Sequence, residues 1–135
     1  MVSISFEYQG DLHCQAVHGP STTALSTDAP KDNHGRGESF SPTDLVATAL
    51  GTCMLTTMGI LARTLNVDLA GATATVEKEM VSSPFRMIQQ LTVRIHVPHA
   101  VGPDNQTKLE RAALTCPVAK TLNPDVQIPT EFTWG

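Results

Sequence analysis

Cys14, Cys53 and Cys116 are the side chains of this sequence with the widest chemical reach, and their settings differ. A thiolate can attack an O–O bond and become a sulfenic acid. A second thiol can then condense with it before oxidation goes further, so reduction of a peroxide asks for two cysteines that the fold brings together. Cys53 stands in the middle of an uncharged apolar run. If that run is a helix, the helix dipole is too far away to ionise the thiol, and a nearby cation or hydrogen-bond donor must do so. Cys116 precedes Pro117 where a helix can begin, and free N–H groups there favour an anion. The two are separated by 62 residues, which leaves open whether they meet. Pairing requires Cα atoms about 4.4–6.8 Å apart.

Each of these residues also has a plainer reading. Free cysteine is among the most buried residue types and often serves as a small hydrophobe. Cys14 has no matching partner and reads as an ordinary strand residue. His13, His18 and His34 read as surface or turn residues rather than bases. His96 and His99 form an H-x-x-H, but Pro98 between them at a strand end makes this a weak metal signal. Neither a metal nor a cofactor is expected.

The element that must position Cys53 is Ser41 to Asn66, SPTDLVATALGTCMLTTMGILARTLN. Ser41 can cap free N–H groups, Pro42 suits a first helical turn, and Asp44 complements the positive end of the dipole. From Leu45 through Ala62 there are 18 residues without a charge and with apolar side chains on every face, which predicts a helix wrapped by protein. The length also allows a membrane span. Four threonines, two glycines and the lack of a basic flanking cluster favour a buried soluble helix instead.

A chain of 135 residues suits one domain, residues 1–135, with a core that needs no disulfide staples. Its net charge of −4, its nine Lys plus Arg, and its lack of an aromatic stacking platform argue against a nucleic-acid partner. The opening MVSISFEYQG has no basic region leading into an apolar stretch, so no signal peptide is expected and a cytoplasmic location is the default.

Along the chain, residues 3–9 alternate as a strand and Gly10-Asp11 turns it into a second at residues 12–18. Gly19-Pro20 then leads to a third over residues 22–27, completing an antiparallel meander. Residues 28–40 are rich in Pro, Asp, Asn, Gly and Glu and form a loop. After the helix, strands are predicted over 72–81 and 86–97, the second with a possible bulge at Gln89-Gln90. A helix over 105–114, a break and restart at Cys116-Pro117, and a last strand over 126–134 follow.

The segment from Gly37 through Met58, with Ser41-Pro42-Thr43-Asp44-Leu45 at a fixed offset before Cys53, combines with Cys116-Pro117-Val118-Ala119-Lys120-Thr121-Leu122. Together they resemble the OsmC/Ohr family of thiol-dependent peroxidases over nearly the whole chain. The resemblance implies an α+β fold, with antiparallel sheets packed around a long central buried helix in an intertwined homodimer whose sites lie at the interface. It implies Cys53 as the peroxidatic thiol and Cys116 as the resolving one, joined in an intramolecular disulfide. Organic hydroperoxides would be the substrates and a dithiol the reductant, in oxidative or osmotic stress protection, with no nucleic acid and no membrane involved.

Two departures mark a divergent branch. Where the family's peroxidases carry a glutamate ten residues before the first cysteine, this chain has Thr43, with Asp44 next to it. Where they carry an arginine after the first strand, it reads Gln9-Gly10-Asp11. Arg36 is the candidate replacement for that charge, with Glu38 to orient it. The alternative reading is a non-catalytic dimeric module that binds a small apolar ligand beside the central helix and whose thiols are merely buried.

Overall fold

Three short alternating runs at the N-terminus pair as the meander that their spacing predicts. In the computed structural model, which describes residues 1–135, β1 (Ile4–Tyr8), β2 (His13–His18) and β3 (Ala24–Asp28) form an antiparallel sheet in that order. Asp11 and Leu12 both have positive φ in the β1–β2 turn, the mirror-image geometry that matches the twist of a hairpin. β3 begins two residues later than the composition suggests, because Thr22 takes a left-handed conformation in the turn.

The loop after β3 is closed on itself. Asp28 N–H donates to Phe40 O (3.0 Å), Ala29 N–H to Leu12 O (3.1 Å) and Gly37 N–H to Ala29 O (3.2 Å), around a 3-10 turn at Lys31–Asn33. Gly35 is required there, since a Cβ would lie 1.8 Å from Ala29 O. The loop delivers the chain to helix α1 (Pro42–Leu65). At its start Asp44 N–H donates to Ser41 Oγ (3.1 Å) and Ser41 N–H to Asp44 Oδ2 (2.9 Å), a reciprocal capping box.

The backbone clusters into two compact units, Met1–Val46 and Ala47–Gly135, and α1 runs through the boundary. The second unit contains β4 (Thr73–Val81), β5 (Met87–Val97), α2 (Pro103–Leu114), α3 (Pro117–Thr121) and β6 (Thr130–Trp134). β4 and β5 are antiparallel; the register slips where Glu79 faces Gln90 and Met80 faces Ile88, leaving Gln89 as the extra residue of a bulge. β6 is parallel to β5, so this sheet is mixed rather than antiparallel. The chain crosses over through α2 and α3 before returning to the sheet, and a crossover of that length permits parallel pairing. β6 is also shorter than expected. Gln127 bridges Gln90, but Pro129 has no N–H to continue the ladder, and regular pairing starts at Thr130.

The core of this unit is built from Leu50, Met54 and Met58 of α1, Leu91, Val93, Ile95 and Val97 of β5, and Leu109 and Ala113 of α2, all at most 1% exposed. Helix and sheet approach closely at Gly51, where a Cβ would sit 3.1 Å from Val76 Cγ2. The buried positions of α1 (Ala47, Leu50, Gly51, Met54, Met58, Ala62) recur every three or four residues, so they form one stripe. Within one chain, then, α1 is covered along this stripe. Thr48, Ala49, Thr52, Thr56 and Ile60 stand open, and Ile60 is 65% exposed. The Thr52 hydroxyl donates to Thr48 O (2.8 Å), so the helix itself satisfies this polar group on the open face. By length and composition α1 would pass as a membrane span, yet its buried stripe is that of a core helix.

Truncating Met58 to alanine should destabilise the fold by about 2–5 kcal/mol, and Ser41→Ala by about 1 kcal/mol through loss of the cap. Denaturant unfolding of the two variants measures both.

Candidate active site

Cys53 lies halfway along α1, one position before the fully buried Met54, and is itself half-buried. Its position follows from the helical stripe: residues 50, 54 and 58 point into the core and 53 flanks them. Cys116 arrives from elsewhere in the chain. Its φ of −63° and ψ of 153° are extended, because Pro117 excludes helical geometry from the residue before it. α2 therefore ends at Leu114 and α3 restarts at Pro117, with Cys116 as its N-cap. Cys116 Sγ accepts a hydrogen bond from Ala119 N–H at 3.4 Å, and Cys116 is wholly inaccessible to solvent.

Both cysteines belong to this unit, and Cys53 is near enough to Cys116 to act on its ionisation; both are free thiols, and no disulfide joins them. Burial pushes the Cys116 thiol above its ordinary value of 9.0. The Ala119 N–H opposes that rise, the neighbouring Cys53 thiol adds to it, and the Val118 N–H opposes it. Of this adjacent pair, one thiol is partly open to solvent while the other is sealed and held in its protonated form near neutral pH.

The remaining expected site residues belong to the first unit. Asp44 has one carboxylate oxygen engaged in the capping box of α1, as the plainer reading of this residue anticipates. Arg36 reaches the β1–β2 turn, where its Nη2 lies 3.6 Å from Asp11 Oδ2. The guanidinium carried by the loop thus stands beside the Gln9-Gly10-Asp11 turn, and its side chain is 41% exposed. Glu38 lines a shallow depression with Phe40 and Asp44. His96 Nδ1 is hydrogen-bonded to Thr133 Oγ1 and His99 Nε2 to Ala70 O, both at 2.7 Å.

One pair escapes a reading of the sequence. Asp28 is only 2% exposed, and its Oδ1 lies 2.6 Å from His13 Nδ1. A buried carboxylate needs such a partner. His13 is therefore not the surface residue that its place beside a turn suggests. The hairpin register sets His13 opposite Asp28, and this register is the signal that could have found them.

Comparison with known proteins agrees with this architecture. The family described as OsmC-like protein matches residues 35–131. A solved structure from Psychrobacter arcticus 273-4, described as a "putative osmotic stress induced and detoxification response protein", is 43% identical; the match covers 98% of this chain and 96% of that one, with a TM-score of 0.92. The organic hydroperoxide resistance protein OsmC of Legionella pneumophila shares the fold at 14% identity, over 98% and 96% of the two chains, with a TM-score of 0.79. An OsmC-like protein from Mycoplasma pneumoniae does so at 15% identity, over 99% and 96%, with a TM-score of 0.83. No curated protein sequence matches the chain. With α1 holding one thiol, the Cys116-Pro117 break holding the other, and the α+β arrangement of two small sheets and a long helix shared with these structures, the chain belongs to the OsmC-like protein family.

Proposed function

We propose that this protein is a cysteine-based peroxidase that reduces organic hydroperoxides through an intramolecular Cys53–Cys116 disulfide, as part of a peroxide and stress response. The observation that carries this reading is a partly exposed thiol neighbouring a sealed one. The Cys53 thiolate attacks one oxygen of ROOH, the O–O bond breaks, and the alkoxide takes up a proton and leaves as the alcohol. Cys53 is then a sulfenic acid. Cys116, after losing its proton, attacks the Cys53 sulfur and the hydroxyl leaves as water. A dithiol reductant returns both thiols, so two electrons from the reductant end in the alcohol and water.

In this proposal Arg36 supplies positive charge in place of the family's arginine, Glu38 orients it, and Asp44 stands in for the glutamate while capping α1. The functional unit is a cytoplasmic homodimer of the single 135-residue domain, with its sites at the interface. The open face of α1, with Ile60 exposed, supports burial against a second copy. Organic hydroperoxide resistance proteins among the structural neighbours support the choice of substrate class.

One observation favours the second reading. A cavity of about 530 Å³ beside the C-terminal half of α1 is walled by Leu55, Met58 and Val67 together with Thr56, Arg63 and Asp68, room for a small ligand with an apolar part. Native mass spectrometry of the purified protein separates the two readings: a retained ligand together with inertness to peroxide supports the binding module.

One equivalent of an alkyl hydroperoxide should consume two thiols per chain and lower the mass of each chain by about two units, with no crosslink between chains. Cys53→Ser should abolish turnover. Persistence of both Cys53 and Cys116 as reactive thiols after denaturation would contradict the proposal.

A further inference from the structure

We infer that the cavity beside the C-terminal half of α1 is the seat of the substrate's organic group, and that Gly59 is the residue that admits an extended alkyl chain there. The inference rests on the peroxidase reading and adds to it which hydroperoxides the site prefers. Gly59 stands inside α1, where glycine is costly relative to alanine because its backbone loses more freedom on folding. The packing of the chain itself does not account for it. At Gly51 a Cβ would lie 3.1 Å from Val76 Cγ2, whereas a Cβ at Gly59 would meet nothing within 4 Å. The space that a side chain would take is the cavity that Gly59 lines, about 530 Å³ in volume. A helix that gives up a side chain beside an open cavity leaves room for a molecule to lie against its backbone.

The cavity continues the side of α1 that carries Cys53. At about 100° and 1.5 Å per residue, Ile60 stands within about 20° of Cys53 around the helix axis and Thr56 within about 60°, and both line the cavity. Gly59 lies about 9 Å beyond Cys53 along that axis and Arg63 about 15 Å. An alkyl chain whose O–O group sits at the Cys53 sulfur, laid toward the C-terminal end of α1, passes Thr56 and Gly59 in turn, and roughly eight carbons bring it to Ile60. Leu55, Met58 and Val67 offer that chain apolar walls, and each methylene withdrawn from water against them favours the longer substrate. The far end is polar. Arg63 and the exposed Asp68, whose Oδ1 accepts from Ala70 N–H (2.8 Å), line it, so the gain from added carbons stops there. The thiol thus selects the O–O bond and the cavity selects the chain, which leaves on the alcohol.

The test compares n-octyl hydroperoxide with tert-butyl hydroperoxide as substrates of the full-length protein at saturating dithiol, reading kcat/KM for each. The unsubstituted protein should favour the octyl compound about tenfold or more. Gly59→Leu, which places its side chain in the cavity, should lower that ratio about tenfold, chiefly through a higher KM for the octyl compound. Gly59→Ala adds a methyl group where nothing lies within 4 Å and should lower the ratio by less than about threefold. A ratio in Gly59→Leu equal to that of the unsubstituted protein overturns the inference, whether both rates persist or both fall together, as they would if Gly59 served only packing between copies. Should Gly59→Leu fail to fold, octan-1-ol answers with the unsubstituted protein: it should inhibit turnover of tert-butyl hydroperoxide at a concentration where ethanol does not. Equal inertness of the two alcohols overturns the inference. An unsubstituted protein inert to both hydroperoxides defeats the peroxidase reading and this inference with it. Turnover of both without preference for the longer chain defeats this inference alone.

Discussion

The arrangement depends on a backbone that cannot remain helical at Cys116. The proline that follows forces extended geometry on that residue, divides α2 from α3 and turns one thiol inward as the cap of the shorter helix. An uninterrupted helix would carry residue 116 onward in register with Leu109 and Ala113 and would satisfy the Ala119 N–H with a backbone carbonyl. Because it is interrupted, Cys116 Sγ takes that N–H, and the sulfur is buried with a hydrogen-bonding partner. A buried polar atom is retained only on such terms.

The other half of the pair depends on α1 being rigid where it carries Cys53. Leu50, Met54 and Met58 fix the rotation of the helix by filling the core, and Gly51 allows the helix to approach Val76 closely enough for that core to seal. The place of residue 53 is thereby set by the helix residues packed on either side of it. The capping box at Ser41 and Asp44 sets where this helix begins.

Much of this was legible in the sequence. The meander, the closed loop, the start and extent of α1, the bulge at Gln89 and the break before Pro117 all follow from local turn, capping and proline chemistry, which acts over a few residues. Features set by distant partners were not legible. The parallel pairing of β6 is decided by how α2 and α3 return the chain, and the delay of that strand by the missing N–H of Pro129. The burial of Asp28 against His13 comes from a hairpin register. Which face of α1 its own chain covers was not legible either, because threonine and alanine are as compatible with a core as with a helix surface. The two cysteines could be identified from residue types and family likeness, but their proximity is tertiary: no spacing across 62 residues specifies it.

The central claim is that the fold itself, before any oxidant arrives, holds Cys53 against Cys116. A crystal structure of the protein grown and kept under reducing conditions tests it most directly. The account predicts two unbonded sulfurs in direct contact, about 4 Å apart or less, with Cα atoms within the span of about 4.4–6.8 Å that a disulfide requires. Sulfurs separated by an intervening side chain, or Cα atoms more than about 7 Å apart, would contradict it.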